Sequence, residues 1–223
     1  MTAVHATAQS RNRPLLALLR LLGAGILLAA LIAQYLNGAA HPAAPANYTV
    51  NFFSFFTVLS NLLMAIVLLC GMASALAGRA DGWVLTLARL CTVSYMVTTG
   101  IVYNTLLRGI ELPLGQIVPW SNEILHLFGP VAVLIGWFLA PGRPRVTAAG
   151  ILVVAAFPLL WAGYTLVRGA LTGWYPYPFL DPEIAGGPLA VTGYLLAIAL
   201  AVLAVAGLLV AATRRGASVP NGH

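Results

Sequence analysis

The sequence predicts an all-α integral membrane protein, a bundle of six transmembrane helices with both termini cytoplasmic. Three observations carry this. Of 223 residues, 61% are hydrophobic and 7% charged, with a mean hydropathy of +0.93; soluble domains carry about 25% charged residues. The apolar residues fall into six runs, each near the roughly 20 residues that cross a bilayer core. The arginines concentrate in alternate connections, as the positive-inside rule requires. This composition excludes a soluble globular enzyme, a disordered regulator and a small disulfide scaffold. The net charge of +6 does not point to nucleic acid, because the arginines lie between apolar runs where topology accounts for them.

The first run covers 15–36 behind a cytoplasmic tail, 1–14, that holds Arg11 and Arg13. Its 22 residues exceed the roughly 7–15 of a signal peptide, so it is expected to stay as the first span. The others cover about 52–76, 83–107, 122–140, 146–167 and 188–212, and a second cytoplasmic tail occupies 213–223. Helices are the expected spanning element, since lipid offers the backbone no hydrogen-bond partners. The connections 77–82 and 141–145 are tight, whereas the first, third and fifth are longer and rich in Pro, Gly and aromatic residues. No linker marks a second domain. With the N-terminus inside, only Arg108 and Arg168 of the 11 arginines fall on the outer side. Each lies in an echo, Thr105–Gly109 and Thr165–Gly169, where a cation at the helix's negative end and a glycine in the following turn predict a helix terminus.

Polar groups inside spans are costly unless partnered, so they are the first candidates for function. The second run carries Ser54, Thr57, Ser60 and Asn61, the third Asn104, and the fourth Asn122, Glu123 and His126. Thr57 and Asn61 are four apart and Glu123 and His126 three apart, so each pair shares a helix face. Thr57 and His126 each lie about five residues from the outer end of their run, or roughly 7–8 Å at 1.5 Å per residue. Their depths match. An imidazole can activate a threonine hydroxyl, a carboxylate can orient the ring, and an asparagine amide can donate to an oxyanion. Helix packing is the competing reading of the same residues, because Thr and Ser bond carbonyls one turn back and Asn pairs helices.

Arg108 and Arg168 are candidate anion hooks or helix-end anchors. Trp174, Tyr175 and Tyr177 form an aromatic interface belt or a lid over the outer mouth. Cys70 and Cys91 read as packing thiols. His126 is the one histidine inside a run, so no metal site or haem pair is expected. No phosphate loop, dinucleotide fingerprint or nucleophile elbow occurs, and no cofactor is implied.

Five segments then carry a resemblance. They are Phe52–Leu62 (FFSFFTVLSNL), Tyr103–Gly109 (YNTLLRG), Asn122–His126 (NEILH), Tyr164–Gly169 (YTLVRG) and Gly173–Asp181 (GWYPYPFLD). Together they resemble a bacterial family of six-span membrane proteins. That family is distantly similar to the androgen-induced and androgen-dependent threonine hydrolases, which cleave fatty acid esters of hydroxy fatty acids with one intramembrane threonine and one histidine. The resemblance implies that Thr57 is the nucleophile and His126 the base, in the bacterial inner (plasma) membrane. Asn61, Asn104, Glu123, Arg108 and Arg168 match the bacterial pattern.

The expected activity is hydrolysis of a lipid or fatty-acid ester held in the bilayer, at a cluster opening toward the outer leaflet. Asn61, Asn104 and Glu123 are expected to support the reaction, and Arg108 or Arg168 to meet a substrate carboxylate. The alternative is a non-enzymatic lipid-binding or transport protein using the same cluster. A purely structural subunit would leave Thr57 and His126 on different faces. For the topology, reporter domains fused after His223 or inserted at Gly142 should both report the cytoplasm. A periplasmic signal at either site overturns the assigned orientation.

Overall fold

The computed structural model describes residues 13–110, 117–139 and 145–215. Most of both predicted tails, with Arg11 and Arg143, lies outside the described residues. Six helices are long and apolar enough to cross a membrane: Arg13–Ala39, Phe56–Leu76, Trp83–Leu107, Pro119–Leu139, Ala148–Thr172 and Pro188–Thr213. These are the six predicted runs, here called the first to sixth spans. The third is central, with 61% of its most apolar stretch buried against 17% for the fifth and 22% for the sixth. Its Leu90, Val93, Tyr95 and Met96 pack with Ala24 and Leu27 of the first span and Met64 and Ala65 of the second.

Two helix boundaries differ from the sequence reading in ways that bear on the site. The second span begins at Phe56, because Tyr48–Phe52 forms a separate short helix and Phe55 is extended (ψ 129°). The freed carbonyl of Ser54 accepts from Trp161 Nε1 at 2.9 Å. Phe52 to Phe56 is continuously apolar apart from Ser54, so hydropathy does not register the break. The fifth span runs on to Thr172 and ends at Gly173 (φ +68°). Arg168 and Gly169 are therefore inside a helix rather than at its end. Only the first copy of the echo terminates one, with Gly109 at φ +88°.

The fourth and fifth spans are also interrupted internally, each one turn before a proline. Proline has no N–H to offer the carbonyl four residues back. Pro158 deprives Val154 O in this way, the helix breaks over Val154–Ala155, and Tyr95 Oη donates to Val154 O at 2.9 Å. Pro130 deprives His126 O, and residues Ile124–Phe128 form a π-turn. Gly129 N–H closes that turn on Ile124 O, and a Cβ at Gly129 would stand 2.6 Å from the same oxygen. Only glycine fits there. The interruption leaves Leu125 O and His126 O to be satisfied from other spans. Asn61 Nδ2 serves the first at 3.3 Å and Asn104 Nδ2 the second at 3.2 Å.

At the opposite end of the bundle from the long connections, two arginines share one carboxylate. Arg20 Nη1 donates to Asp81 Oδ1 at 2.9 Å and its Nη2 to Oδ2; Arg89 Nη1 donates to Oδ2 at 3.0 Å. Arg20 also reaches Gly71 O, and Arg89 reaches Gly136 O at 3.0 Å. All three charged side chains are buried. Sequence reading takes Arg20 and Arg89 as flank charges and passes over Asp81. The structure makes them a clamp joining the first four spans. Removing one partner of a buried ion pair costs about 3–5 kcal/mol, because the remaining charge stays buried. Asp81→Ala is expected to lower the thermal midpoint in detergent more than the lipid-facing Leu200→Ala, as read by circular dichroism.

Candidate functional site

Residues of the three long connections surround one cavity of about 280 Å³. Pro45 and Tyr48 come from the first, Ile110 and Ile117 from the third, and Trp174 and Tyr177 from the fifth. Both Thr57 and His126 line it, on the second and fourth spans. The matched depths inferred from sequence therefore correspond to one shared space. Gln34, Asn51 and Asn122 supply further polar lining.

Thr57 is the second residue of its helix and is buried. Its position leaves its backbone N–H without an intrahelical acceptor. Tyr177 Oη accepts that N–H at 3.2 Å and lies 3.3 Å from Thr57 Oγ1. Burial raises the Tyr177 phenol above its ordinary pKa, with the Thr57 hydrogen bond opposing the rise. The phenol is thus a neutral donor and acceptor beside Thr57. Among the described residues, no hydrogen bond joins Thr57 to His126.

His126 sits in the π-turn. Its ring stacks on Tyr103, with centroids 3.9 Å apart and planes 25° apart. Its Nδ1 lies 3.0 Å from Asn122 O. A carbonyl can only accept, so Nδ1 carries the proton and Nε2 of the neutral ring keeps its lone pair. That is the tautomer a general base at Nε2 requires. Asn122 Nδ2 in turn donates to Tyr103 Oη at 2.6 Å, which fixes the ring on which His126 stacks.

The structure gives the supporting residues different work from that expected. Asn61 Nδ2 is committed to Thr57 O at 2.8 Å and to Leu125 O; Asn104 Nδ2 is committed to Gly100 O at 2.8 Å and to His126 O. They hold the backbone of the two candidate residues rather than point donors at an oxyanion. Glu123 does not orient the His126 ring, a role taken by Asn122 O. It binds Arg108 with both oxygens, at 2.8 and 2.9 Å, while Arg108 Nε donates to Asn104 Oδ1 at 2.7 Å. Glu123 raises the Arg108 pKa through this hydrogen bonding, and the guanidinium is already occupied.

Arg168 is different. Its Nη2 donates to Asn51 Oδ1, its guanidinium lies 4.4 Å over the Trp174 ring, and its buried Nη1 has no hydrogen-bond partner. Asn51 and Trp174 both line the cavity. Of Arg108 and Arg168, Arg168 is the one with an unpartnered donor, which is buried behind Asn51 and Trp174 of the cavity wall.

Sequence reasoning missed Tyr177 as the immediate neighbour of Thr57. The available signal was Pro176-Tyr177-Pro178, since flanking prolines stiffen a loop. Asn122 was noticed only as a polar side chain, whereas its carbonyl is what fixes His126.

The fold and site together define an all-helical protein with six helices long and apolar enough to cross a membrane and a cavity between the second, third and fourth of them. No family model matches the chain, and neither a curated protein nor a solved structure matches it.

The Asn104 arrangement makes a prediction. An interhelical hydrogen bond in a membrane bundle contributes about 0.6–2 kcal/mol, so Asn104→Leu should destabilise the protein by that order in thermal denaturation. Pro130→Ala restores an N–H to His126 O and should suppress the loss in the double variant. An undiminished loss there would break the link between Pro130 and Asn104.

Proposed function

We propose that the protein is an intramembrane hydrolase of lipid esters, with Thr57 as nucleophile and His126 as general base. The observation that carries the reading is the shared cavity, with His126 held as the Nδ1–H tautomer by Asn122 O. The resemblance to the bacterial six-span family, itself distantly similar to the threonine hydrolases, suggests the reaction class. Both termini are cytoplasmic in this reading, and the cavity faces the outer leaflet of the bacterial inner membrane.

The Thr57 hydroxyl proton passes to His126 Nε2 as Oγ1 attacks the ester carbonyl. Negative charge grows on the carbonyl oxygen, within reach of the Thr57 N–H, which Tyr177 Oη accepts in the free protein, and of the Tyr177 hydroxyl, which can turn to donate. Collapse expels the alcohol, which takes the proton from His126 and leaves acyl-Thr57. Water, deprotonated by the same imidazole, then cleaves that ester and regenerates the hydroxyl. Because Tyr177 holds Thr57 in the free protein, substrate has to displace the phenol before the proton can move. Arg168 Nη1 lies behind Asn51 and Trp174 and meets the substrate's anionic group once these shift from the cavity wall, and Arg108 with Glu123 braces Asn104.

One observation favours a second reading. The Thr57 hydroxyl is bonded to Tyr177 and not to His126, which suits a lipid-binding or transport site equally well.

Labelling by a hydrophobic fluorophosphonate separates the two readings, since it requires an activated hydroxyl. Thr57→Ala and His126→Ala should each abolish labelling and ester turnover, and the double variant should be hardly worse than either, as for groups acting as a unit. Thr57→Ser should retain part of both. Full turnover in purified Thr57→Ala removes the hydrolase reading and leaves lipid binding or transport.

A further inference from the structure

A second cavity of about 300 Å³ adjoins the first. The two share Thr57, Tyr103, Leu107 and Tyr177 in their walls. Their chemistry differs. No charged side chain lines the second cavity, and Phe56, Val102, Leu195 and Val202 typify its walls. Of its polar groups, Thr192 Oγ1 is engaged on Pro188 O at 2.9 Å and Trp161 Nε1 on Ser54 O, while the Thr98 and Thr99 hydroxyls are buried without a partner. With two isolated hydroxyls in a wall that is otherwise mainly hydrocarbon and aromatic, the space suits an apolar occupant better than water.

The cavity is also open on one side. Leu159 of the fifth span and Leu196 of the sixth line it and are 62% and 60% exposed. Among the described residues nothing covers them, so in a bilayer the opening between these spans would face hydrocarbon. Between the two cavities stands Tyr177, its hydroxyl tied to Thr57 N–H and 3.3 Å from Thr57 Oγ1. Its ring is stacked on Phe179, with centroids 5.2 Å apart and planes 7° apart.

We infer that the second cavity is a chamber for one hydrocarbon chain of a bilayer lipid, loaded sideways between the fifth and sixth spans, with Tyr177 as the door to the polar cavity. The inference rests on the reading that the site serves a lipid, and it adds the ligand's form and its route. The ligand is a single-chain amphiphile that arrives from the membrane and not from water. Its head lies in the first cavity near Asn51 and Arg168, its chain lies in the second, and its junction passes Thr57. A volume of about 300 Å³ is at the low end for small-molecule sites, suited to one chain and too small for two.

The test uses the full-length protein in lipid nanodiscs with a diazirine-bearing fatty acid as photoprobe, the crosslinked peptides being mapped by mass spectrometry. Labels should concentrate on 158–162 and 195–202, and excess oleate should compete them away. Ala199→Trp fills the chamber and Leu196→Trp obstructs its opening; each should cut labelling by about tenfold, the order expected for overpacking a fitted site. Leu200→Trp, on the same helix but outside the cavity lining, should leave labelling unchanged. Tyr177→Phe keeps the ring and removes the tie, so labels should spread to peptides around Tyr103 and His126.

Labelling spread evenly over all lipid-facing helices overturns the chamber, as does undiminished labelling in both tryptophan variants. Unchanged label positions in Tyr177→Phe overturn the door. Chamber labelling without any measurable ester turnover retains the chamber and removes the hydrolase.

Discussion

A bilayer supplies no hydrogen bonds to a peptide carbonyl, so each carbonyl that a proline strips of its partner must be served by another span. The site depends on this constraint. Pro130 strips His126 O and Pro158 strips Val154 O, and both carbonyls are served from the third span, by Asn104 and Tyr95. Asn61 of the second span serves Leu125 O in the same π-turn. The third span lies at the centre of the bundle because it docks against neighbours whose backbones are incomplete without it. Gly100 permits the approach: a Cβ there would stand 3.0 Å from His126 O. Short π-turns of this kind often accompany functional sites, and here the turn sets the backbone position of the candidate base.

The two ends of the bundle carry charge in different ways. Arg20, Asp81 and Arg89 form a buried clamp whose members are all covered, so their positions are tied to the packing of four spans. Around the cavity, Arg108 and Glu123 pair at a partly exposed position with side chains 43% and 33% accessible. Exposed pairs of this kind contribute about 0–1 kcal/mol, so the pair matters mainly for where it holds Asn104. Arg168 is the contrasting case, buried on one side with an unmatched donor beside the cavity. The rigid end and the open end are thereby separated along the bundle.

Tyr177 connects the site's two halves. Without its phenol, the Thr57 N–H at the start of the second span would have no acceptor. The same hydroxyl lies against Thr57 Oγ1, so a ligand oxygen entering this position replaces a bond instead of creating a new polar burial. Phe55 and Trp161 pack their rings near Tyr177, at 5.6 and 6.1 Å between centroids. The loop is thus positioned by aromatic contacts while its hydroxyl remains exchangeable.

The sequence by itself determined the six apolar helices, their order and the short list of polar residues worth attention. These follow from solvation, because burying some 20 residues in hydrocarbon leaves a signal in every run. Pro130 and Pro158 stand in the sequence too, but the sequence reading places no helix break at either. The tertiary structure decided which side chains answer the carbonyls left open there, and so turned Asn61 and Asn104 from candidate oxyanion donors into backbone supports. It decided that Asn122 O, and not Glu123, fixes the His126 ring. It also brought Tyr177 to Thr57 across 120 residues and buried Asp81 between two arginines. Hydropathy is a property of each segment and can be read locally. A hydrogen-bond partner is a property of two segments in contact, and in a bundle of uniformly apolar helices many pairings have similar hydropathy, so only the packed structure selects among them.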